Sequence, residues 1–403
     1  MSHDPYAALK ARAFRWALSC HFTMIIAAQM QATAFGWLIY DRTGSAAALG
    51  LTGLMMFLPV LLLALPVGHW VDSRDRKSVL LLGQAIIATA AGMMCALTFF
   101  AAPVGYFFLA MALSGTGNAF ASIARPTIMR EVTPSHHAEN GANWSHLSRR
   151  IASVLGPIVA GVTIARYGPL SAFAMTGISH MVAMIATTHI PMPPSRSSDK
   201  AMTFHSLTEG LRYMGKNPLI LSTTLLDLFA VLLGGATGLL PLFAKDILHV
   251  GATGLGVLAA TPNIGSGLTA LLLAHRPPIR HAGRSLLLTV AAYGAMTILF
   301  GLSTSPILSF IALLLVGGFD SVSVTIRATI LQIFVPSQLR GRVYGVNTVF
   351  VYSSNELGDF ESGLAASLVG PVAAVIGGGV GAVLMAVYFG WHWPQLRALR
   401  RLQ

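Results

Sequence analysis

Apolar residues in this chain gather into long runs, each about 20 residues, separated by short clusters of Gly, Pro, Asp and Arg. A run of that length lets a helix cross the hydrocarbon core of a bilayer. The runs also lack the alternation of a transmembrane β-strand. Twelve can be drawn, at about 15–39, 46–68, 78–100, 104–125, 144–166, 169–190, 218–243, 252–274, 284–303, 306–327, 342–367 and 371–392. Turn signals punctuate them, such as DRTGS at 41–45, AAPVG at 101–105, RYGP at 166–169 and STSP at 303–306. The pattern predicts an all-α membrane protein with twelve transmembrane helices.

The longest connection, 191–217, breaks the rhythm. It opens on the polar MPPSRSSDK and continues TFHSLTEGLRYMGK. Phe204, Leu207, Leu211 and Met214 fall on one helical face, opposite Glu209, Arg212 and Lys216. This predicts an amphipathic helix at the cytoplasmic interface, within a linker between an N-terminal six-helix bundle (1–190) and a C-terminal one (218–403).

The two halves repeat at an offset of 202 residues. Ala124-Arg125-Pro126-Thr127-Ile128 matches Ile326-Arg327-Ala328-Thr329-Ile330 at that offset, and Gly115 maps onto Gly317 and Asn118 onto Asp320. Leu155-Gly156 and Gly161 likewise map onto Leu357-Gly358 and Gly363. Parallel pseudo-symmetric halves of six spans are a transporter architecture, with the substrate site near the midplane.

Composition strengthens this picture. The chain has 403 residues, 54% hydrophobic and 10% charged, and its mean hydropathy of +0.68 is too high for a soluble domain. A net charge of +12 would suggest nucleic acid in a soluble protein. Here it follows topology instead. Only Arg42, Arg166 and Lys245 fall on one side of the spans, while the other 23 of 26 basic residues fall on the opposite side. Both termini are expected to be cytoplasmic. Lys10, Arg12 and Arg15 precede an apolar run too long for a cleaved leader, so it is read as a retained first helix. Cys20 and Cys95 lie in different spans, and neither a disulfide nor a metal site is expected.

Charges inside the spans are the candidate chemistry. The stretch SSNELGDFESG at 353–363 places Glu356, Asp359 and Glu361 in an otherwise apolar segment. A charge at mid-bilayer costs at least ~2.5 kcal/mol, so such acids face a polar cavity or a partner. Glu356 and Asp359 are three residues apart on one face and resist double ionisation, which makes a shared proton a natural coupling device. Glu361 points to another side. Asp227 and Asp320 are the remaining acids in spans, and Asp320 is set against Arg327 as a candidate partner two turns away. Gln29, Asn118 and Asn263 are candidate cavity-lining groups, with helix-to-helix hydrogen bonds as the alternative.

Two motifs carry a family resemblance. The loop after the second span reads Gly68-His69-Trp70-Val71-Asp72-Ser73-Arg74-Asp75-Arg76-Lys77, and the fifth span holds Gly156-Pro157-Ile158-Val159-Ala160-Gly161. The chain resembles the major facilitator superfamily, in the branch of enterobactin-exporter-like and macrolide-efflux-like bacterial proteins. The family loop is G-x-x-x-D-R-x-G-R-K, so Gly68, Asp72, Arg76 and Lys77 match, while Ser73 and Asp75 depart. The resemblance implies a conformational latch at that loop. The G-P-x-x-G-G packing signature of family antiporters is partly met by Gly156, Pro157 and Gly161, with Gly358 and Gly363 as the second-half copies. The Arg that drug antiporters often carry in the middle of the fourth span is absent from LAMALSGTGNAF.

The resulting expectation is a secondary active transporter working by alternating access. It would be a proton-coupled exporter of a small amphipathic molecule, drug or siderophore-like, in the bacterial inner membrane. A proton-coupled importer and a non-transporting receptor or scaffold on the same fold are the alternatives. Expected partners are the small-molecule substrate, protons and the bilayer, with no nucleic acid, no cofactor and a monomeric state. An enzyme is not expected. Leu357-Gly358-Asp359 has the outline of an intramembrane protease site, but Glu356 holds the place of its required Gly.

Overall fold

A computed structural model describes residues 4–192, 204–277 and 279–399, with side chains except at 64–65, 69, 71–73 and 204–207. The helices are α1 (Arg12–Thr43), α2 (Ala46–Ser73), α3 (Arg76–Phe99), α4 (Val104–Val132), α5 (Ala138–Tyr167), α6 (Pro169–Thr188), α7 (Phe204–Lys216) and α8 (Pro218–Leu233). After these come the single turn α9 (Leu240–Leu242), then α10 (Gly251–Ala274), α11 (Ala282–Leu302), α12 (Pro306–Phe334), α13 (Arg340–Val369), α14 (Pro371–His392) and the short α15 (Pro394–Ala398). Among the described residues, 11 segments are long and apolar enough to cross a membrane. The twelfth span is α13, whose Arg340, Arg342, Glu356, Asp359 and Glu361 keep it from reading as plain lipid-spanning helix.

Cα packing divides the chain into two compact units. One comprises Met1–Arg42 with Met55–Met202, the other Thr43–Leu54 with Thr203–Gln403. The first turns of α2 therefore pack with the second unit. In the first unit, Phe14, Met24, Leu80, Phe120, Ile128 and Ala183 form a core. In the second, Leu226, Leu286, Val290, Ile326, Ala382 and Phe389 do the same.

Small residues set the helix spacing. A Cβ on Gly156 of α5 would stand 2.6 Å from Cβ of Gln29 on α1. In the second unit, a Cβ on Gly358 of α13 would stand 2.9 Å from the Val231 carbonyl of α8. One on Gly363 would meet Gly50 of α2, its Cα at 2.6 Å. Close backbone approach is the use to which membrane helices put such residues. Pro157 and Gly161 are both buried in α5.

One segment differs from the sequence-based expectation. The seventh span is not continuous over 218–243. It stops at Leu233, crosses Gly234-Gly235, and resumes as a 3-10 turn (Ala236–Leu239), α9 and a π-turn (Phe243–Ile247). Consecutive glycines weaken the helix, and Pro241 takes a backbone donor away from the resumed segment. α7, the amphipathic helix expected at the cytoplasmic interface, packs on the second unit. Its Met214 is buried with Ile220, Leu331, Val335, Val343 and Val346. Glu209 pairs with Arg342, and the Tyr213 hydroxyl donates to the Phe334 carbonyl at 3.1 Å. Leu211 stays exposed, and Phe204 and Leu207 lie outside the described side chains.

Candidate functional site: an acid-lined cavity at a helix break

The break after α8 opens the second unit. Backbone groups freed inside a membrane protein must find partners within it. Here two side chains supply them. The Tyr293 hydroxyl on α11 donates to the Gly234 carbonyl at 3.1 Å. On the other side, Asp359 Oδ1 on α13 accepts from the Gly238 amide at 3.0 Å and from the Thr237 hydroxyl at 3.3 Å. Asp359 therefore fastens the broken segment to α13.

Beside this break lies a cavity of about 260 Å³, lined from α8, α10, α11, α12 and α13. Its polar faces include Asp227, Asp320, Asp359, Arg327, Asn263 and Tyr293. Asp227 and Arg327 are both buried and form an ion pair at 2.5 Å. Arg327 Nε also donates to Ser323 Oγ, one turn back on α12, at 3.3 Å. Asp320 sits two helical turns before Arg327 on α12, about 10 Å along the axis. The cation thus takes its partner from the neighbouring helix. One guanidinium among three carboxylates leaves the cavity acidic.

Of the eight candidate polar residues read from the sequence, the structure brings Asp227, Asp320, Asp359 and Asn263 to this one cavity. Glu356 and Glu361 are not among its lining residues. Glu356 faces the first turns of α2, where a Cβ on Gly53 would stand 3.0 Å from its Oε2. Glu361 is half-buried and accepts from the Ser362 hydroxyl at 3.4 Å. Gln29 and Asn118 belong to the first unit and are both half-buried. Tyr293 is a cavity residue with no role in the sequence-based expectation, and Arg327 had one only as a candidate partner of Asp320. The 202-residue repeat held the signal for Arg327, since it pairs Arg125 with Arg327 just as it pairs Asn118 with Asp320.

The loop between α2 and α3 is a second organised polar region. Asp75, one of its departures from the family pattern, is the N-cap of α3. Its carboxylate accepts from the Ser78 amide at 3.1 Å, the Ser78 hydroxyl at 2.7 Å and the Lys77 amide at 3.4 Å. Partial burial opposes ionisation there, but these hydrogen bonds overcome it and hold the carboxyl below its ordinary value of 3.8. Lys77 Nζ donates to the Thr188 and Ile190 carbonyls at the end of α6, at 2.7 and 3.0 Å. Arg76 pairs with Glu131 at the end of α4. Among the described residues, none comes within 4 Å of where a Cβ on Gly68 would stand. The Asp72 side chain lies outside the described residues.

Asp75→Ala is expected to cost about 1 kcal/mol, as loss of an N-cap carboxylate does. Because the folded-state value is depressed, the stabilisation is present above pH 3.8 and is lost as pH falls through the folded-state value. Thermal melts of both forms at neutral pH and near pH 3 check this. Equal melting at neutral pH would remove the cap.

A polytopic all-helical chain with a broken span beside an internal polar cavity belongs to the class of membrane transporters. The family emerges from comparison with known proteins. The model of the Major Facilitator Superfamily matches residues 17–358, most of the chain, and the protein belongs to that family. The chain is 25% identical over 400 residues to the enterobactin exporter EntS of Escherichia coli O1:K1 / APEC, covering 96% of this chain and 94% of that protein. It is 24% identical to the EntS of Citrobacter koseri over the same shares. Among solved structures, it is similar to a bacterial homolog of the human lysosomal transporter Spinster, in an inward-facing, unoccupied conformation. That likeness has a TM-score of 0.75 at 17% identity, over 99% of this chain and 98% of that one. A D-xylose-proton symporter is also similar, with a TM-score of 0.72 at 13% identity, over 98% of this chain and 99% of that one. The protein is a multi-pass membrane transporter of small molecules with the twelve-helix, two-bundle fold, and not an enzyme.

Proposed function

We propose that this transporter is a proton-coupled exporter of a small amphipathic molecule, siderophore-like or drug-like, in the bacterial inner membrane with both termini cytoplasmic. In this reading 1–190 and 218–403 are its two six-helix bundles and 191–217 the cytoplasmic linker. The carrying observation is the attachment of Asp359 to the helix break inside an acid-lined cavity. A carboxylate accepts strongly from an amide and a hydroxyl, and a protonated carboxyl accepts less strongly. Proton uptake at Asp359 therefore loosens the fastening between α13 and the broken span, and proton release restores it. Arg327 is paired with Asp227, so a change of charge at that carboxylate alters what the guanidinium holds. Export, rather than import, is favoured by the relatives, which are named as exporters of enterobactin. Gly68, Asp72, Arg76 and Lys77 are assigned to the latch, and Gly156, Pro157, Gly161, Gly358 and Gly363 to helix packing.

Inverted membrane vesicles test direction and coupling together, with a catecholate siderophore and a lipophilic cationic dye as probes. An acid-inside gradient is expected to drive accumulation of one probe inside, and a protonophore to abolish it. Loss of preloaded probe under the same gradient would instead indicate proton symport, and indifference to the gradient would rule out proton coupling.

A further inference from the structure

The loop before α11 is the second-half counterpart of the loop before α3, and it reads HRPPIRHAGRS at 275–285 with no acid. At α3 the Asp75 carboxylate caps the helix. At α11 the N-cap is His281, and among the described residues no side chain caps the helix. A pocket of about 340 Å³ opens at this end of α11, lined by His281, Arg284, Pro394, Arg397 and Ala398. Its wall is built by α15, where Leu396 is fully buried and the Leu399 carbonyl accepts from the Gly283 amide at 3.2 Å.

No described acid neutralises this pocket. Among the described residues, neither Arg284 nor Arg397 forms an ion pair or hydrogen bond through its side chain. The sequence contains no Asp or Glu between 247 and 319, and none after 361. Two guanidiniums and an imidazole thus converge beside the positive end of a 21-residue helix. An external anion is the complement this chemistry selects, and guanidinium forks match phosphate oxygens in particular.

The surroundings identify where that anion comes from. Trp391 and Tyr388 at the end of α14 are 78% and 46% exposed, just before the turn into α15. Trp393 is held back against Phe389, ring centroids 4.5 Å apart. Exposed aromatics of this kind mark the headgroup level of a bilayer. Basic pockets between membrane helices at that level are headgroup sites.

We propose that the pocket of His281, Arg284 and Arg397 binds the phosphate of an anionic phospholipid headgroup. The lipid supplies at α11 the negative charge that Asp75 supplies at α3. One half of the pseudo-repeat carries its capping anion in the chain, and the other takes it from the membrane.

Native mass spectrometry of the full chain, released from nanodiscs of phosphatidylglycerol and phosphatidylcholine, tests this. Wild type is expected to retain phosphatidylglycerol selectively. The Arg284→Gln/Arg397→Gln variant is expected to retain about tenfold less. Arg276→Gln, an exposed site at the same end but outside the pocket, is expected to behave as wild type. The proposal is overturned if the double variant retains phosphatidylglycerol as wild type does, or if Arg276→Gln loses as much, which would indicate bulk attraction. It is also overturned if ~10 mM inorganic phosphate displaces the lipid completely, which would assign the pocket to free phosphate. Both substituted arginines are exposed, so folding is expected to survive, and unchanged thermal melting in phosphatidylcholine alone checks that.

Discussion

Arg327→Gln is expected to destabilise the protein by about 3–5 kcal/mol, because it leaves the buried Asp227 carboxylate without its cation. Both side chains of the pair are less than 10% exposed, so water cannot replace the guanidinium. The loss of the contact itself is the smaller part of this cost. The larger part is an uncompensated charge in a place shielded from solvent. It follows that Asp227→Asn in the same chain should rescue most of it, since removing both charges removes the desolvation cost as well. Melting curves of the wild type, the two single variants and the double variant form the cycle that checks this. If Arg327→Gln melts with the wild type, the ion pair contributes nothing to stability. If the double variant is as unstable as Arg327→Gln, the damage lies in packing and not in charge.

Much of the fold was legible in the sequence because its strongest signals are local and repeated. Long apolar runs marked the spans, and an offset of 202 residues tied Gly156 to Gly358, each of which lies against a neighbouring helix. The broken seventh span was less legible. Gly234-Gly235 is embedded in residues as apolar as those around it, and its consequence depends on Tyr293 and Asp359, more than 50 residues away in sequence. The same limitation governs the acids. Spacing placed Glu356 and Asp359 on one side of α13. Which neighbour each carboxylate meets is set by other helices, and Asp359 meets the break while Glu356 meets the first turns of α2. The partner of Arg327 was misplaced for a related reason. Its sequence neighbour two turns away was Asp320, but its partner comes from α8.

Asp359→Asn is expected to abolish gradient-driven accumulation while leaving substrate counterflow within about threefold of wild type. The substitution keeps the side chain's size and one carbonyl oxygen, so the Gly238 amide and the Thr237 hydroxyl retain an acceptor. What it removes is the charge and the ability to titrate. A charge-assisted hydrogen bond is worth ~1.5–3 kcal/mol against ~1 kcal/mol for a neutral one, so the fastening of the break weakens without being lost. Counterflow exchanges substrate for substrate and needs the two conformations but no net proton movement. Accumulation against a gradient needs a group that changes protonation between them. The two assays therefore separate a proton carrier from a structural anchor. Glu356→Gln, outside the cavity lining, is expected to lower accumulation less than Asp359→Asn does. Full accumulation by Asp359→Asn would end the coupling role of this residue. Loss of counterflow together with accumulation would reduce it to an anchor of the helix break.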